Sequence, residues 1–599
     1  MTTDLLNFVP LSAFGKSSPP LGEVDIDAEL ARFEADERKK LGLGGKEQYQ
    51  EKLFHDPRTA KKAHTTILVS GLTMAQDLLV SGALAGIGYR VISLDAPDQQ
   101  ALRLGKEFGN RGQCNPTYFT VGNLVKHLQL LRESEGITTQ QVVDNYVFLT
   151  AGSCGPCRFG MYVTEYRKAL RDAGFEGFRV LLFQMAGGIK QASGDDKDGL
   201  VMGPAFFWPI VKALLIGDVL NGIAYRIRPF EVEPGATDKA MQESKEILHA
   251  AFVADGNLIV AMWKVRRIFG AVKVDRLRPK PKVGIIGEFW AMTTEGDGNY
   301  RIQKFLQEEG AEVDVQFVAN WILFMVWEAE RDTRHRMSLG KDDKGRKGLE
   351  GKDPRKKLIM TWLGDKAIRL LFQSFAQMLG LHGFTLPDMH EIASVAKDFY
   401  NHDVRGGEAH MEVAKNILNV IHSKVNMTLS VKPFGCMPSS GVSDGVQSAI
   451  TELYPEAIFL PIETTGDGAV NVYSRVQMML FKARKAARKE LDDVLGAYDM
   501  SEDEARNLIA RVPGLAHALI AAPHRHASTA ANIAELAGSI RHPVKGFQRW
   551  WAHRNHKPEE RLAKHLASRA NLGVPTAART PASVKAPAAS VKSQPVKTA

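Results

Sequence analysis

The stretch YVFLTAGSCGPCRFGMYVTEYRKALRDAGFEGFRVLLFQ, residues 146–184, decides how the chain folds. It opens on an apolar run rich in β-branched and aromatic residues, YVFLTAG. A turn of Gly, Pro and Cys follows, then a charged helical segment that stops at glycine, then a second apolar run, FRVLLFQ. Strand, helix, strand over this length is a βαβ unit, and the crossover makes the two strands parallel. The same alternation extends upstream through TTILVSG (65–71), MAQDLLVSGALAGIG (74–88), YRVISLD (89–95) and TVGNLVKHLQLLRE (120–133). A mainly helical stretch runs on to about Lys273, and RLRPKPKVG (276–284) reads as a linker. Beyond it come strands in KVGIIGEFW, AEVDVQFV, NMTLSVKPFG and EAIFLPIET, with helices in YRIQKFLQEEG, EAHMEVAKNILNVIHSKV and DGVQSAITELYP between them.

The expected fold class is therefore α/β: two lobes with parallel sheets flanked by helices, a helical insertion, and a disordered basic C-terminal tail. The expected divisions are an N-terminal arm (1–60), a first lobe (61–275), a second lobe (276–490) and a basic helical and disordered tail (491–599). The last 30 residues, mostly Ala, Pro, Lys, Ser, Thr and Val, have no periodicity with which to bury a core.

Hydrophobic content of 44% and charged content of 24% are those of an ordinary globular chain, and 599 residues make two or three domains. The start, MTTDLLNFVPLSAF, lacks a basic segment followed by an apolar run, so no secretory leader is expected. Phe206 to Ala224 is the most apolar long stretch. Pro209, Lys212 and Asp218 interrupt it, so it reads as a buried helix, with no membrane span or membrane partner expected. The expected compartment is the cytoplasm. A net charge of +9 arises mainly from residue 482 onward and from 334–357, which read as solvated faces and tails. No zinc-finger spacing or RNA-binding aromatic motif marks a nucleic-acid module. Walker A, GxGxxG, HExxH and GxSxG patterns are missing from the sequence, so neither ATP hydrolysis nor a dinucleotide site is expected from it.

The chemistry lies in four cysteines: Cys114 in GNRGQCNP, Cys154 and Cys157 in SCGPCRFG, and Cys436 in KPFGCMPSSG. Each stands among glycines and prolines on a loop at the end of an element. Cys154 and Cys157 follow a strand and precede a helix, where backbone N–H groups and the helix dipole favour a thiolate. Cys436 holds the corresponding place in the second lobe, at the carboxyl end of a strand, where open α/β sheets bind ligands. Four soft donors suit an iron–sulfur cluster held between the lobes, or Zn²⁺. CGPC is also the redox motif of thioredoxins, although Ser153 stands where those proteins carry an aromatic residue. A thiol–disulfide redox protein and a zinc-stabilised interaction protein are the alternatives. Buried cysteines acting as small apolar side chains are the plain structural reading.

At these residues the chain resembles the 2-hydroxyacyl-CoA dehydratase superfamily, nearest to the dehydratase-like part of large CoA-substrate-specific enzyme activases. The resemblance spans about residues 65–480. It rests on the blocks around Cys114, Cys154 and Cys436, with YRIRPFE (225–231), KVGIIGEFW, RGGEAH (405–410), FLPIETTGDG and NVYSRVQM. It implies two Rossmann-like lobes and a [4Fe–4S] cluster between them, held here by Cys114, Cys154, Cys157 and Cys436. It also implies a separate ATP-dependent activase that delivers low-potential electrons. A homo- or heterodimer and a CoA-thioester substrate are compatible with it. In the dehydratases one electron passes to a 2-hydroxyacyl-CoA and the hydroxyl leaves as water. Their subunits typically supply three cysteines and leave one iron open. Four thiolates here would close the cluster and favour electron transfer over dehydration.

Glu463 and Asp467 in PIETTGDG, and Glu288 directly after KVGIIG, are the candidate acids or bases. Turn formation is the favoured reading of GDG, and a structural hydrogen bond accounts for Glu288 equally well. Arg158 and Lys432 flank cysteine loops and suit an anion. Glu408, close to His410, reads as a helix cap.

Overall fold

The computed structural model divides the chain into two compact units, 1–56 and 57–599. Of the first, residues 32–33, 35–37 and 39–40 are described, and all are helical. Of the second, the structure describes 64–152, 157–183, 203–338, 349, 353–404 and 407–555. Most of the N-terminal arm, Cys154, Arg405 and the end of the tail lie outside the described residues.

Each expected strand forms. They are β1 (Thr66–Val69), β2 (Arg90–Ser93), β3 (Tyr146–Ala151), β4 (Arg179–Phe183), β5 (Lys282–Gly287), β6 (Glu312–Val315), β7 (Met427–Pro433) and β8 (Phe459–Thr464). They build two four-stranded sheets, in the orders β2-β1-β3-β4 and β6-β5-β7-β8, and every pairing is parallel. Leu68 sits in register with Ile92 on one side and Phe148 on the other; Ile285 sits likewise between Val315 and Leu429. Helices cover the sheets, so central strands are buried on both faces. All seven residues of β7 are buried, whereas β2 at its sheet edge alternates between exposed and half-buried. The fold is thus α/β with two Rossmann-like parallel-sheet lobes. In each, strand order reverses between the first and third strands of the lobe, and that switch point opens a crevice at the carboxyl ends.

The expected boundary at residue 275 separates two sheets, but the largest core crosses it. Helix Pro204–Ile227 packs into one core that takes Ile67, Val69 and Leu79 from the first lobe and Phe317, Val413 and Ile417 from the second. Asp218 on this helix ties the lobes by polar contacts. Its carboxylate accepts from Gln76 Nε2 at 2.9 Å, from Val318 N at 3.0 Å and from Ala319 N at 2.8 Å, which caps helix Val318–Ser338. The segment Pro204–Phe230 is long and apolar enough to cross a membrane by length and composition alone. However, 56% of its most apolar window is buried within the fold, as a core helix requires.

Order also continues past residue 490. One helix runs Ala469–Ala497, and its end packs with helices Glu502–Arg511 and Thr529–Arg541 around Leu491, Val494, Tyr498, Ala530 and Ala534. Glu312 at the start of β6 accepts from Thr529 N (2.9 Å) and Thr529 Oγ1 (2.7 Å), both buried. Residues 491–555 therefore belong to the folded body, which corrects their assignment to a tail. Residues 556–599 lie outside the described residues.

Candidate functional site

The loops at the carboxyl ends of both sheets meet along a seam. Asp297 N donates to Pro97 O (3.0 Å), Gln99 Nε2 to Gly466 O (2.8 Å) and Met74 N to Glu295 Oε2 (2.6 Å). At the same seam Asn115 N donates to Phe434 O at 2.9 Å, and the Arg158 guanidinium donates to the Gly435 carbonyl. The residues beside Cys114, Cys157 and Cys436 are thereby in mutual contact across the two lobes.

The three described cysteines share one local design. Cys114 caps helix Asn115–Glu133, Cys157 caps the 3₁₀ turn Arg158–Met161, and Cys436 caps helix Met437–Gly441, each with extended backbone. Proline at the first turn of both α-helices, Pro116 and Pro438, fixes the chain just after the thiol. Cys114 and Cys436 are buried and Cys157 is half-buried. Cys114 Sγ lies 3.1 Å from Thr117 Oγ1 and 3.1 Å from Tyr162 Oη. Its loop is braced by Glu165, which accepts from Asn110 N (3.1 Å), Asn110 Nδ2 (2.8 Å) and Gln113 Nε2 (3.0 Å).

Gly435 makes the close approach possible. Its φ is +77°, and a Cβ there would stand 3.2 Å from Cys114 Cα and 3.1 Å from the Arg158 guanidinium. Gly287, which ends β5, is similarly constrained. Its φ is +131°, and a Cβ would stand 2.1 Å from the Val431 carbonyl oxygen.

Burial dominates the electrostatics. It pushes the Cys157 thiol up to about 12, against the Phe159 amide, with Glu408 and Glu288 adding to the rise. Burial also pushes the Cys436 thiol well up, helped by Glu288 and opposed by the hydroxyl and amide of Ser439. These sulfurs are neutral thiols unless a cation joins them.

Three carboxyls face the same place. Glu288 caps the short helix Phe289–Thr293, its Oε2 accepting from Ala291 N at 2.8 Å. Glu408 stands at the N-cap of helix Ala409–Ile421, as the sequence suggests, yet its carboxylate reaches instead to Phe289 N at 2.6 Å. Glu412, one turn on, accepts from Ser439 Oγ at 2.6 Å, and its Oε2 is buried without a hydrogen-bond partner. Burial raises the pKa of Glu288 and Glu408, and mutual repulsion adds to Glu288. Burial likewise pushes Glu412 up to about 8. Glu408, Glu412, Gln316 and Trp321 line a cavity of about 10 Å3, room for a single water.

Of the three candidate acids, Glu288 alone stands in this cluster. Glu463 is exposed and lies 3.4 Å from Lys432. Asp467 is exposed in the turn after β8 and accepts from Thr465 Oγ1 at 2.6 Å, the bond expected of a turn residue. Arg158 bridges two cysteine loops, while Lys432 lies almost buried beside Glu463. His410 packs against Phe324, Trp327 and His402. Sequence reasoning missed Glu412, Ser439 and Tyr162. The signals were a second glutamate four residues after Glu408, a serine three after Cys436 and a tyrosine five after Cys157.

The donor set has the right chemistry for a thiophilic metal centre. Among the described residues, though, no three His, Cys, Asp or Glu side chains form a ligating group, and Cys154 lies outside those residues. No protein-family model matches the chain, and no curated protein matches it.

Proposed function

We propose that the chain is an iron–sulfur protein resembling 2-hydroxyacyl-CoA dehydratase components, which accepts low-potential electrons from a separate ATP-dependent activase. One observation carries this: thiol-bearing loops from two parallel-sheet lobes touch at the carboxyl ends of both sheets. Cys114, Cys157 and Cys436, with Cys154, would hold a [4Fe–4S] cluster. When bound, the cluster supplies one-electron transfer, to a small acyl-CoA-like substrate or to a redox partner. The chain's own residues set the conditions. The seam buries the Cys114 and Cys436 thiols, Arg158 holds the two cysteine loops together, and the amides of Phe159 and Ser439 face sulfur. Glu288 and Glu412, kept protonated by burial, are positioned as proton donors beside the thiol loops, and burial raises Glu408 in the same direction. Cytoplasmic residence belongs to this same proposal, and an enzymatic role would follow from it if the cluster keeps an open iron.

The test is anaerobic purification with iron and acid-labile sulfide analysis. The expected result is iron and sulfide in about equal amounts, with Cys436→Ser losing most of both. Metal-free protein with a titratable dithiol would establish the thiol–disulfide alternative, and zinc without sulfide the structural-zinc one.

A further inference from the structure

Away from the seam, two helices carry an apolar face that no described residue covers. Helix Pro354–Leu379 has no fully buried residue before Phe372. Ile359, Met360, Trp362, Leu363 and Leu370 on it are 48–71% exposed. Ile359, Leu363, Lys366 and Leu370 follow the i, i+4, i+7, i+11 spacing of one helical stripe. Helix Leu258–Gly270 lies alongside, with Arg266 donating to the Gln377 carbonyl at 3.3 Å. It adds Ile259, Val260 and Trp263, each about half exposed or more.

The charges select the occupant. The two helices carry eight basic residues, three in one and five in the other, and a single carboxylate, Asp365. Arg369 takes that carboxylate through two 3.0 Å hydrogen bonds. A second copy of the face would set cations against cations, so self-association is disfavoured. A protein partner's interface core is depleted in lysine. Here Lys366 lies within the apolar stripe, and Lys356 and Lys264 are exposed beside it. An anionic bilayer surface accepts this composition: lysine stems snorkel to phosphate while tryptophan sits at headgroup depth.

We propose that the face formed by helices Leu258–Gly270 and Pro354–Leu379 docks the protein on an anionic lipid surface, through apolar side chains among lysines. A surface attachment needs no spanning segment, and it is independent of the chemistry assigned to the seam.

The experiment is flotation of the full chain with two kinds of vesicle, phosphatidylcholine alone and phosphatidylcholine with about 30 mol% phosphatidylserine. Wild type is expected to bind the anionic vesicles at least about tenfold better, with binding weakened by salt and tryptophan fluorescence shifted to the blue. Leu363→Glu and the double variant Lys356→Glu/Lys366→Glu should each abolish it. All three positions are exposed, so circular dichroism and the thermal midpoint should stay at wild-type values. Failure of wild type to float with anionic vesicles would overturn the proposal. So would equal flotation of both folded variants. A dimer in light scattering that Leu363→Glu dissociates would also overturn it, by making the face a contact between copies.

Discussion

Gly435 is the residue on which the cysteine geometry turns. Its left-handed backbone disfavours a side chain, and the proximity of Cys114 Cα leaves little room for one. Gly435→Ala is expected to cost about 1–3 kcal/mol. It should also reduce iron incorporation under anaerobic reconstitution while leaving the far-UV spectrum unchanged. Wild-type iron content in that variant would show that the turn need not hold the Cys114 loop. Tyr162 makes a subtler prediction. Its hydroxyl touches Cys114 Sγ, so Tyr162→Phe should keep the fold and shift the reduction potential of a bound centre without stripping it. An unmoved potential would place Tyr162 in packing only. At this scale the sequence revealed the cysteines because glycines and prolines surround them. It concealed Tyr162 and Glu412 because a lone tyrosine or glutamate on a helix looks the same whether it faces solvent or a buried thiol.

At the scale of elements, buried carboxyls set the pH response. A group whose pKa is raised by folding holds its proton more tightly folded than unfolded. Its stabilisation is complete below the unfolded value and drains away as pH climbs through the folded one. Asp77 and Asp218 are pushed up to about 7, and Glu412 to about 8, burial being the largest cause in each case. The thermal midpoint should therefore fall between about pH 5 and about pH 8. Glu412→Gln, which keeps the acceptor for Ser439, should flatten that fall; an unchanged slope would remove Glu412 from the account. Asp218→Ala strands two helix-start amides and the Gln76 side-chain amide, at a cost of about 2–4 kcal/mol in denaturant unfolding. The eight strands were legible as short runs rich in β-branched and aromatic residues alternating with helical segments, four of them (β1, β3, β5 and β7) running into a glycine. The packing of the helices expected after residue 490 was not. Their core positions are filled by Ala530, Ala531, Ala534 and Ala537, whose small side chains write a faint hydrophobic period.

Over the whole molecule, each sheet has a core of its own on one face and shares a further, larger core with the other sheet, so unfolding should be a single cooperative transition. The C-terminal helices add a second anchor at Glu535. Burial there favours the neutral acid, but hydrogen bonds from His526, Arg549 and Tyr498 overcome it and hold the carboxyl far below its usual range. That contribution runs opposite to the others: it is full above the unfolded pKa and lost in acid. The separation into two sheets, β1–β4 and β5–β8, was readable from the two runs of alternating strands and helices. The shared core was not, because nothing local in helix Pro204–Ile227 says that its far side meets Phe317. That helix also restricts how the molecule can move. A spine common to both halves prevents them from swinging apart like a clamshell. Whatever enters or leaves the seam must do so by the yielding of individual loops, and the radius of gyration in solution should stay the same whether the seam is filled or empty.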